Sequence, residues 1–303
     1  MLAKPSVIDP SGQPPRTFGA LLETSFKLVF ASWKPLFWVC FWMNLVAQLP
    51  MVWWWWRTRA VFDGNDWRTW LDSSVLTWNA SDSGVTAVAL LVSLLFSFAA
   101  AYRMARIARE GDPGFSACFS HAVRLFPGSL ALLVIYSGLM ALCLLPVAAA
   151  LWLVPGGESL DTLMPRLLAV LFALLLVSAP LAWVSIAAVF ALPAYWLDGD
   201  GIVAAQLRSF RLVRGHWVRS ASVVTTTMLA WLGVISVVGM FPLALTAVVA
   251  VALDGWIALM KPGWLVWGQL LSTPLLALFT PLCFAGWLVC YEDLRLREGM
   301  GEG

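Results

Sequence analysis

The sequence predicts an all-α polytopic membrane protein: six transmembrane helices, arranged as three parallel repeats of an amphipathic helix plus a two-helix hairpin. Composition is the first reason. Hydrophobic residues make up 61% of the 303 and charged residues 12%, against about 25% charged in a soluble domain. Apolar run length is the second, because about 20 helical residues cross a bilayer and six runs reach that length. The third is a repeated phrase. Ser25-Phe26-Lys27-Leu28-Val29-Phe30-Ala31-Ser32-Trp33 returns as Ser209-Phe210-Arg211-Leu212-Val213-Arg214-Gly215-His216-Trp217. A weaker copy, Ala122 to Leu130, lies between them. Each copy immediately precedes a long apolar run, so the chain reads as one membrane unit used three times.

Residues 1–16 are polar and carry Pro5, Pro10, Pro14 and Pro15. They read as a disordered tail rather than a cleavable leader, because they lack an apolar core. A single membrane domain is expected over 17–297, with repeats at about 17–105, 114–197 and 201–294, and a short tail at 298–303. The first amphipathic stretch, 17–34, places Phe18, Leu22, Phe26, Val29 and Trp33 on one face and Glu23, Lys27 and Lys34 on the other. That spacing is the pattern of an interfacial helix. Stretches 115–126 and 202–219 take the same place in the later repeats.

The expected spans are 36–56, 85–102, 130–154, 167–192, 223–253 and 265–291. Each outgoing span holds one proline of the set Pro50, Pro146 and Pro242. Proline frees a backbone carbonyl and bends a helix, so neighbouring helices must satisfy it. The returning spans end at Tyr102, Tyr195 and Tyr291, suited to the bilayer interface. Ser178-Ala179-Pro180 and Ser272-Thr273-Pro274 recur in the second and third of them.

Orientation follows from Lys and Arg. Fourteen of the nineteen fall on the side that holds both termini, so both termini are expected in the cytoplasm. The nineteen tryptophans suit headgroup depth, and Trp53 to Trp56 open an outer loop that continues through Trp67, Trp70 and Trp78.

Chemistry is sparse. No charged side chain lies in the middle of any expected span, whereas proton-coupled transporters and membrane proteases place such groups there. His121 and His216 are isolated, which makes neither a triad nor a metal site. The five cysteines form no Cys-x-x-Cys pair. Asp63-Gly64-Asn65-Asp66 lacks the ligand spacing of a calcium loop, and Asn79-Ala80-Ser81 is a three-residue match to a glycosylation acceptor. A net charge of +2 points to no nucleic-acid partner. No enzyme activity, metal or cofactor is expected.

Two sites remain. Arg208, Arg211 and Arg214 give the third amphipathic stretch a basic face, with Trp217 beside it, suited to anionic lipid headgroups. Asn44 and Gln48, four apart on the first span, either line a polar cavity or bond a neighbouring helix.

The phrase Ser209 to Trp217 and the later Tyr291-Glu292-Asp293-Leu294-Arg295-Leu296-Arg297 resemble the membrane domain of glycerophosphoryl diester phosphodiesterases and related stand-alone bacterial inner-membrane proteins of unknown function. The likeness covers about the C-terminal third. It implies a bacterial cytoplasmic-membrane location. The chain holds no room for a soluble phosphodiesterase barrel, so the enzyme's activity is not implied. The expected role is a non-enzymatic membrane protein that organises lipid or a partner protein. The alternative is a passive transporter or channel for a small or amphiphilic solute, drawn from the repeats and prolines.

Overall fold

A computed structural model describes residues 17–63, 80–154, 160–256 and 263–301. Among these the chain is helical apart from short turns, with no strand. The helices are α1 (Phe18–Ala47), α2 (Leu49–Asp63), α3 (Ala80–Arg109), α4 (Phe115–Leu153), α5 (Leu160–Val189), α6 (Ala191–Leu197), α7 (Ile202–Arg214), α8 (Trp217–Asp254) and α9 (Gly263–Gly301). Six stretches are long and apolar enough to cross a membrane: Phe18–Arg59, Ser81–Arg109, Phe115–Leu153, Leu163–Leu197, Trp217–Leu253 and Gly263–Glu298. The all-α, six-span class expected from sequence is therefore what the chain forms. The tail at 1–16, Trp67, Trp70, Trp78, most of the Asp63–Asp66 run and Asn79 lie outside the described residues.

Several element boundaries differ from the sequence reading. The first two amphipathic stretches are not separate helices. They run without a break into their spans, as α1 and α4. Only the third stands alone, as α7, closed by Gly215 and the turn from His216 N–H to the Val213 carbonyl at 2.9 Å. Gly215 favours that break, since glycine costs a helix interior about 1 kcal/mol relative to alanine. The corresponding Gly128 stays helical because its missing Cβ is used in packing. A Cβ there would overlap the Tyr195 ring. Of the three outgoing prolines, only Pro50 accompanies a break, between α1 and α2. Pro146 and Pro242 sit inside continuous helices.

The repeated phrase carries a repeated burial pattern. Ser25 and Ser209 are both fully buried, Ala122 stands in the same column at 5% exposure, and Leu28 and Leu212 are buried with them. Small residues at a helix contact let two backbones approach. In α1 the inward face is Leu21, Ser25, Leu28 and Ser32, while Phe18, Phe26, Phe30 and Trp33 are exposed. The apolar face read from sequence is thus the outward one, and a small-residue seam beside it packs on protein.

The chain divides into two compact units. One contains residues 19–124 and 225–286. In it Arg103 is nearly buried and forks onto Asp112, Nε to Oδ1 at 2.8 Å and Nη2 to Oδ2 at 2.7 Å, while Nη1 bonds the Pro35 carbonyl. This clamp ties α1, α3 and the α3–α4 turn. The Arg103 fork holds the Asp112 carboxyl below its ordinary pKa against the opposing effect of burial, with help from the Gly114 N–H. At the other end of this unit Asp82 accepts from Arg57 at 2.8 Å and from the Trp53 indole at 3.2 Å, joining α2 to α3. A Cβ on Gly286 of α9 would overlap Thr227 of α8, so these helices meet at van der Waals limit.

The second unit contains residues 125–224 and 287–303. Its core includes Phe190, Ala194, Val213, Tyr291 and Leu294. Ser209 donates to the Ala187 carbonyl, and the Trp196 indole donates to Ser129 at 2.7 Å. Helix α9 is the most enclosed span. Of its apolar 18-residue stretch 67% is buried, against 28% or less in the other five. The remaining spans present leucine, valine and phenylalanine outward, as lipid contact requires.

Each hairpin is pinned by a sulfur contact. Ser97 donates to Met43 Sδ at 2.9 Å, Ser185 to Met140 Sδ at 3.6 Å, and Cys283 to Met228 Sδ at 3.8 Å. Met43 and Met140 each follow their small-residue column, Ser25 or Ala122, by the same number of residues, and Met228 follows Ser209 by one more.

Candidate functional site

The site begins with an arginine turned inward. Helix α7 places Arg208 against the turn before it. There Gly199 has φ +75°, a backbone conformation glycine adopts without strain, and it separates Asp198 from Asp200. Both carboxylates face the guanidinium, at 2.8 Å and 3.2 Å. Glu298 closes the cage from α9 at 3.0 Å. Tyr291 donates its hydroxyl to the same Asp198 Oδ2 at 2.5 Å. Desolvation opposes the Arg208 charge, but Tyr291, Asp200 and Glu298 more than offset it, so its pKa lies above the ordinary arginine value.

The rest of the phrase Tyr291 to Arg297 extends the network. Asp293 is 1% exposed and accepts from Arg219 at 3.2 Å and Arg297 at 2.9 Å. Arg295 reaches Asp198 at 3.6 Å and Glu292 at 3.7 Å. The carboxylates Asp198, Asp200, Glu292, Asp293 and Glu298 are thus all occupied by arginine. Four of the phrase's seven residues, Tyr291 to Leu294, are buried. Burying such charges is tolerable only because each is paired and hydrogen-bonded.

Arg211 and Arg214 differ. Both are exposed, and neither makes an ion pair or side-chain hydrogen bond among the described residues. They line a groove of about 580 Å³ with Ala204, Leu207, Phe210 and Trp183. Trp183 of α5 and Phe210 of α7 stack with ring centroids 5.1 Å apart and planes within 5°. The groove has an aromatic and aliphatic wall and two cations on its rim. Both cations lie in the last turn of α7, where positive charge also complements the helix dipole.

The structure therefore splits the basic face read from sequence. Arg211 and Arg214 stay together on the outside. Arg208 leaves them, because three carboxylates compete for it. Trp217 does not line the groove. It opens α8, half-buried, with its indole N–H buried and without a hydrogen-bond partner among the described residues. Trp183 takes the aromatic place instead. Nothing local in the sequence marks Trp183, which lies 27 residues before Phe210. The partners of Arg208 had a signal: an Asp-Gly-Asp turn directly before an arginine-bearing helix.

Asn44 and Gln48 are spent between helices. Asn44 Nδ2 donates to Thr280 at 3.0 Å and to its own helix at Cys40, and Gln48 Nε2 donates to Thr273 at 3.0 Å. Each amide nitrogen thus reaches an α9 threonine, while Gln48 Oε1 is buried without a hydrogen-bond partner among the described residues. A second groove, of about 450 Å³, lies among Phe26, Phe30 and Trp33 of α1, Val234 of α8 and Leu278 and Phe279 of α9. Every side chain in that group is apolar or aromatic. Among the described residues no three His, Cys, Asp or Glu side chains are placed to hold a metal ion.

No family model matches the chain, and neither a curated protein nor a solved structure matches it.

Proposed function

We propose that this chain organises anionic lipid at the cytoplasmic face of a bacterial inner membrane, without catalysing a reaction. The observation that carries the reading is the pair Arg211 and Arg214, two cations without carboxylate partners among the described residues, on the rim of an apolar groove and on a helix that belongs to none of the six apolar spans. An unpaired arginine at headgroup depth attracts anionic lipid by about 1 kcal/mol. The lysine and arginine distribution supports the cytoplasmic placement of that face and of both termini.

The reading includes a threefold internal repeat. The common burial of Ser25, Ala122 and Ser209 supports it, as do the three methionine contacts within hairpins. On this view kinship with the membrane domain of glycerophosphoryl diester phosphodiesterases is one of membrane architecture. Tyr291, the first residue of the phrase that carries the resemblance, bonds Asp198 of the Arg208 cage. Against the alternative, a passive path for a small or amphiphilic solute, stand the bonds from Asn44 and Gln48 to α9, which support a structural role for the pair.

Native mass spectrometry of the purified full chain tests the reading. Wild type is expected to retain anionic phospholipid that Arg211→Gln/Arg214→Gln loses, with retention falling as salt rises. Equal retention by the two proteins at every salt concentration would refute it.

A further inference from the structure

We propose that the α5–α7 groove is a binding site for a lipid phosphomonoester: a phosphate with one ester bond to a glycerolipid and an acyl chain laid along Trp183, Leu207 and Phe210. The proposal rests on the lipid-organising reading and specifies its ligand.

Charge is the first argument. The carboxylates near α7 are already committed. Asp198, Asp200 and Glu298 hold Arg208, Glu292 holds Arg295, and Asp293 holds Arg219 and Arg297. Arg211 and Arg214 line the groove and make no ion pair among the described residues. The rim thus offers two positive charges to an anionic ligand. A phosphodiester headgroup carries one negative charge. A phosphomonoester carries about 1.5 to 2 at neutral pH.

Geometry is the second. A guanidinium binds phosphate best through two parallel N–H···O bonds. Two such forks bring four N–H donors, which crowd the two non-bridging oxygens of a diester. A monoester presents three. Lysines would act as point charges and would not discriminate in this way.

The groove itself is the third. Its volume of about 580 Å³ falls in the range of small-molecule sites, about 300–1,000 Å³. The Trp183–Phe210 stack forms a flat apolar wall beside the arginine rim. The α1 groove is comparable in size yet wholly apolar, and serves as an internal control for chain binding without headgroup selection.

Acidification gives a signed readout. The second phosphate pKa is about 6, while arginine keeps its charge throughout. Trp183, Ala204, Leu207 and Phe210 do not titrate. His216 is exposed beyond the end of α7 and does not line the groove. A loss of binding on acidification therefore reports the ligand.

The test reconstitutes the full chain in nanodiscs of phosphatidylcholine containing equal amounts of phosphatidic acid and phosphatidylglycerol, and reads the retained lipids by native mass spectrometry. The expected result is about fivefold preference for phosphatidic acid at pH 7.5, the effect of one further charge, shrinking at pH 5. Arg211→Gln/Arg214→Gln should abolish the preference. Arg211→Lys/Arg214→Lys, which keeps the charge, should bind both lipids and lose most of the discrimination. Inorganic phosphate in millimolar excess should leave the preference standing. If wild type retains both anionic lipids equally and the glutamine variant retains neither, the lipid-organising reading survives and the phosphomonoester assignment falls. If wild type and glutamine variant are indistinguishable, both fall. Displacement of the lipid by inorganic phosphate would assign the site to free phosphate and overturn the lipid ligand.

Discussion

Arg208 donates to Asp198 at 2.8 Å, and the Oδ2 that receives it is the same oxygen that accepts the Tyr291 hydroxyl. One carboxylate thus joins an arginine of α7 to a tyrosine of α9. The contact explains why the three arginines of α7 are not equivalent. Arg208 neutralises the cage that docks the helix, while Arg211 and Arg214 remain outside.

Arg208→Gln should therefore destabilise the protein. Removing it leaves Asp200 and Glu298 without their arginine and Asp198 with Arg295 at 3.6 Å, at a cost of about 3 kcal/mol. Arg211→Gln/Arg214→Gln should unfold within a degree or two of wild type. Thermal unfolding in one detergent compares them. Equal loss in both variants would mean that the cage is not what holds α7.

The Arg103–Asp112 clamp predicts a pH dependence. The Asp112 pKa is lowered in the folded state from its ordinary 3.8. A depressed carboxylate stabilises the fold above the ordinary value and loses that contribution as pH falls through the folded value. Asp112→Asn should be less stable than wild type at pH 7, and the difference should shrink as pH falls below 3.8. A gap that stays unchanged as the pH is lowered to the acid limit of folding would assign the effect to something other than ionisation.

Asn44→Leu and Gln48→Leu should be mild. Each removes one interhelical bond, worth about 0.6 to 2 kcal/mol in a bilayer. The acceptors are not orphaned, because Thr280 and Thr273 also bond their own helix at Leu276 and Gln269. Stability of the two variants in detergent should drop within that range. A neutral outcome, combined with altered solute leakage from proteoliposomes, would return the pair to a pathway.

Much of the fold was legible because a bilayer imposes simple demands. Run length marks the six spans, whereas the sequence reading of α1 picks out its large apolar residues and not the small Ser25 that is buried. Helix continuity was less legible. Sequence placed an interfacial helix before each outgoing span, yet α1 and α4 run on through the junction. Pro35 and the pair Pro127-Gly128 stand at those junctions as local stop signals, but both helices continue through them, and tertiary packing uses Gly128 for contact with Tyr195. The site was half legible. Periodicity put Arg208, Arg211 and Arg214 on one broad face, but a spacing of three spreads over an arc wide enough for one end to turn inward. Which end turned depended on carboxylates at Asp198, Asp200 and Glu298, two of them before the helix and one 90 residues beyond. Trp183 arrived from another helix, which pattern within α7 could not disclose.

Topology offers a separate check. A reporter that is active only in the cytoplasm should signal when fused after residue 303 and stay silent when inserted within 64–79. A signal from the second site would reverse the placement of the arginine-rich ends.

The most direct measurement places a photoreactive residue at Leu207, 58% exposed on the groove wall, and identifies adducts by mass spectrometry after illumination of intact membranes. The account predicts a phospholipid adduct in the otherwise wild-type chain and its loss in the Arg211→Gln/Arg214→Gln background, with protein level and thermal stability unchanged. An adduct of equal yield in both backgrounds would show that lipid passes Leu207 without being held by the two arginines, and would contradict the account.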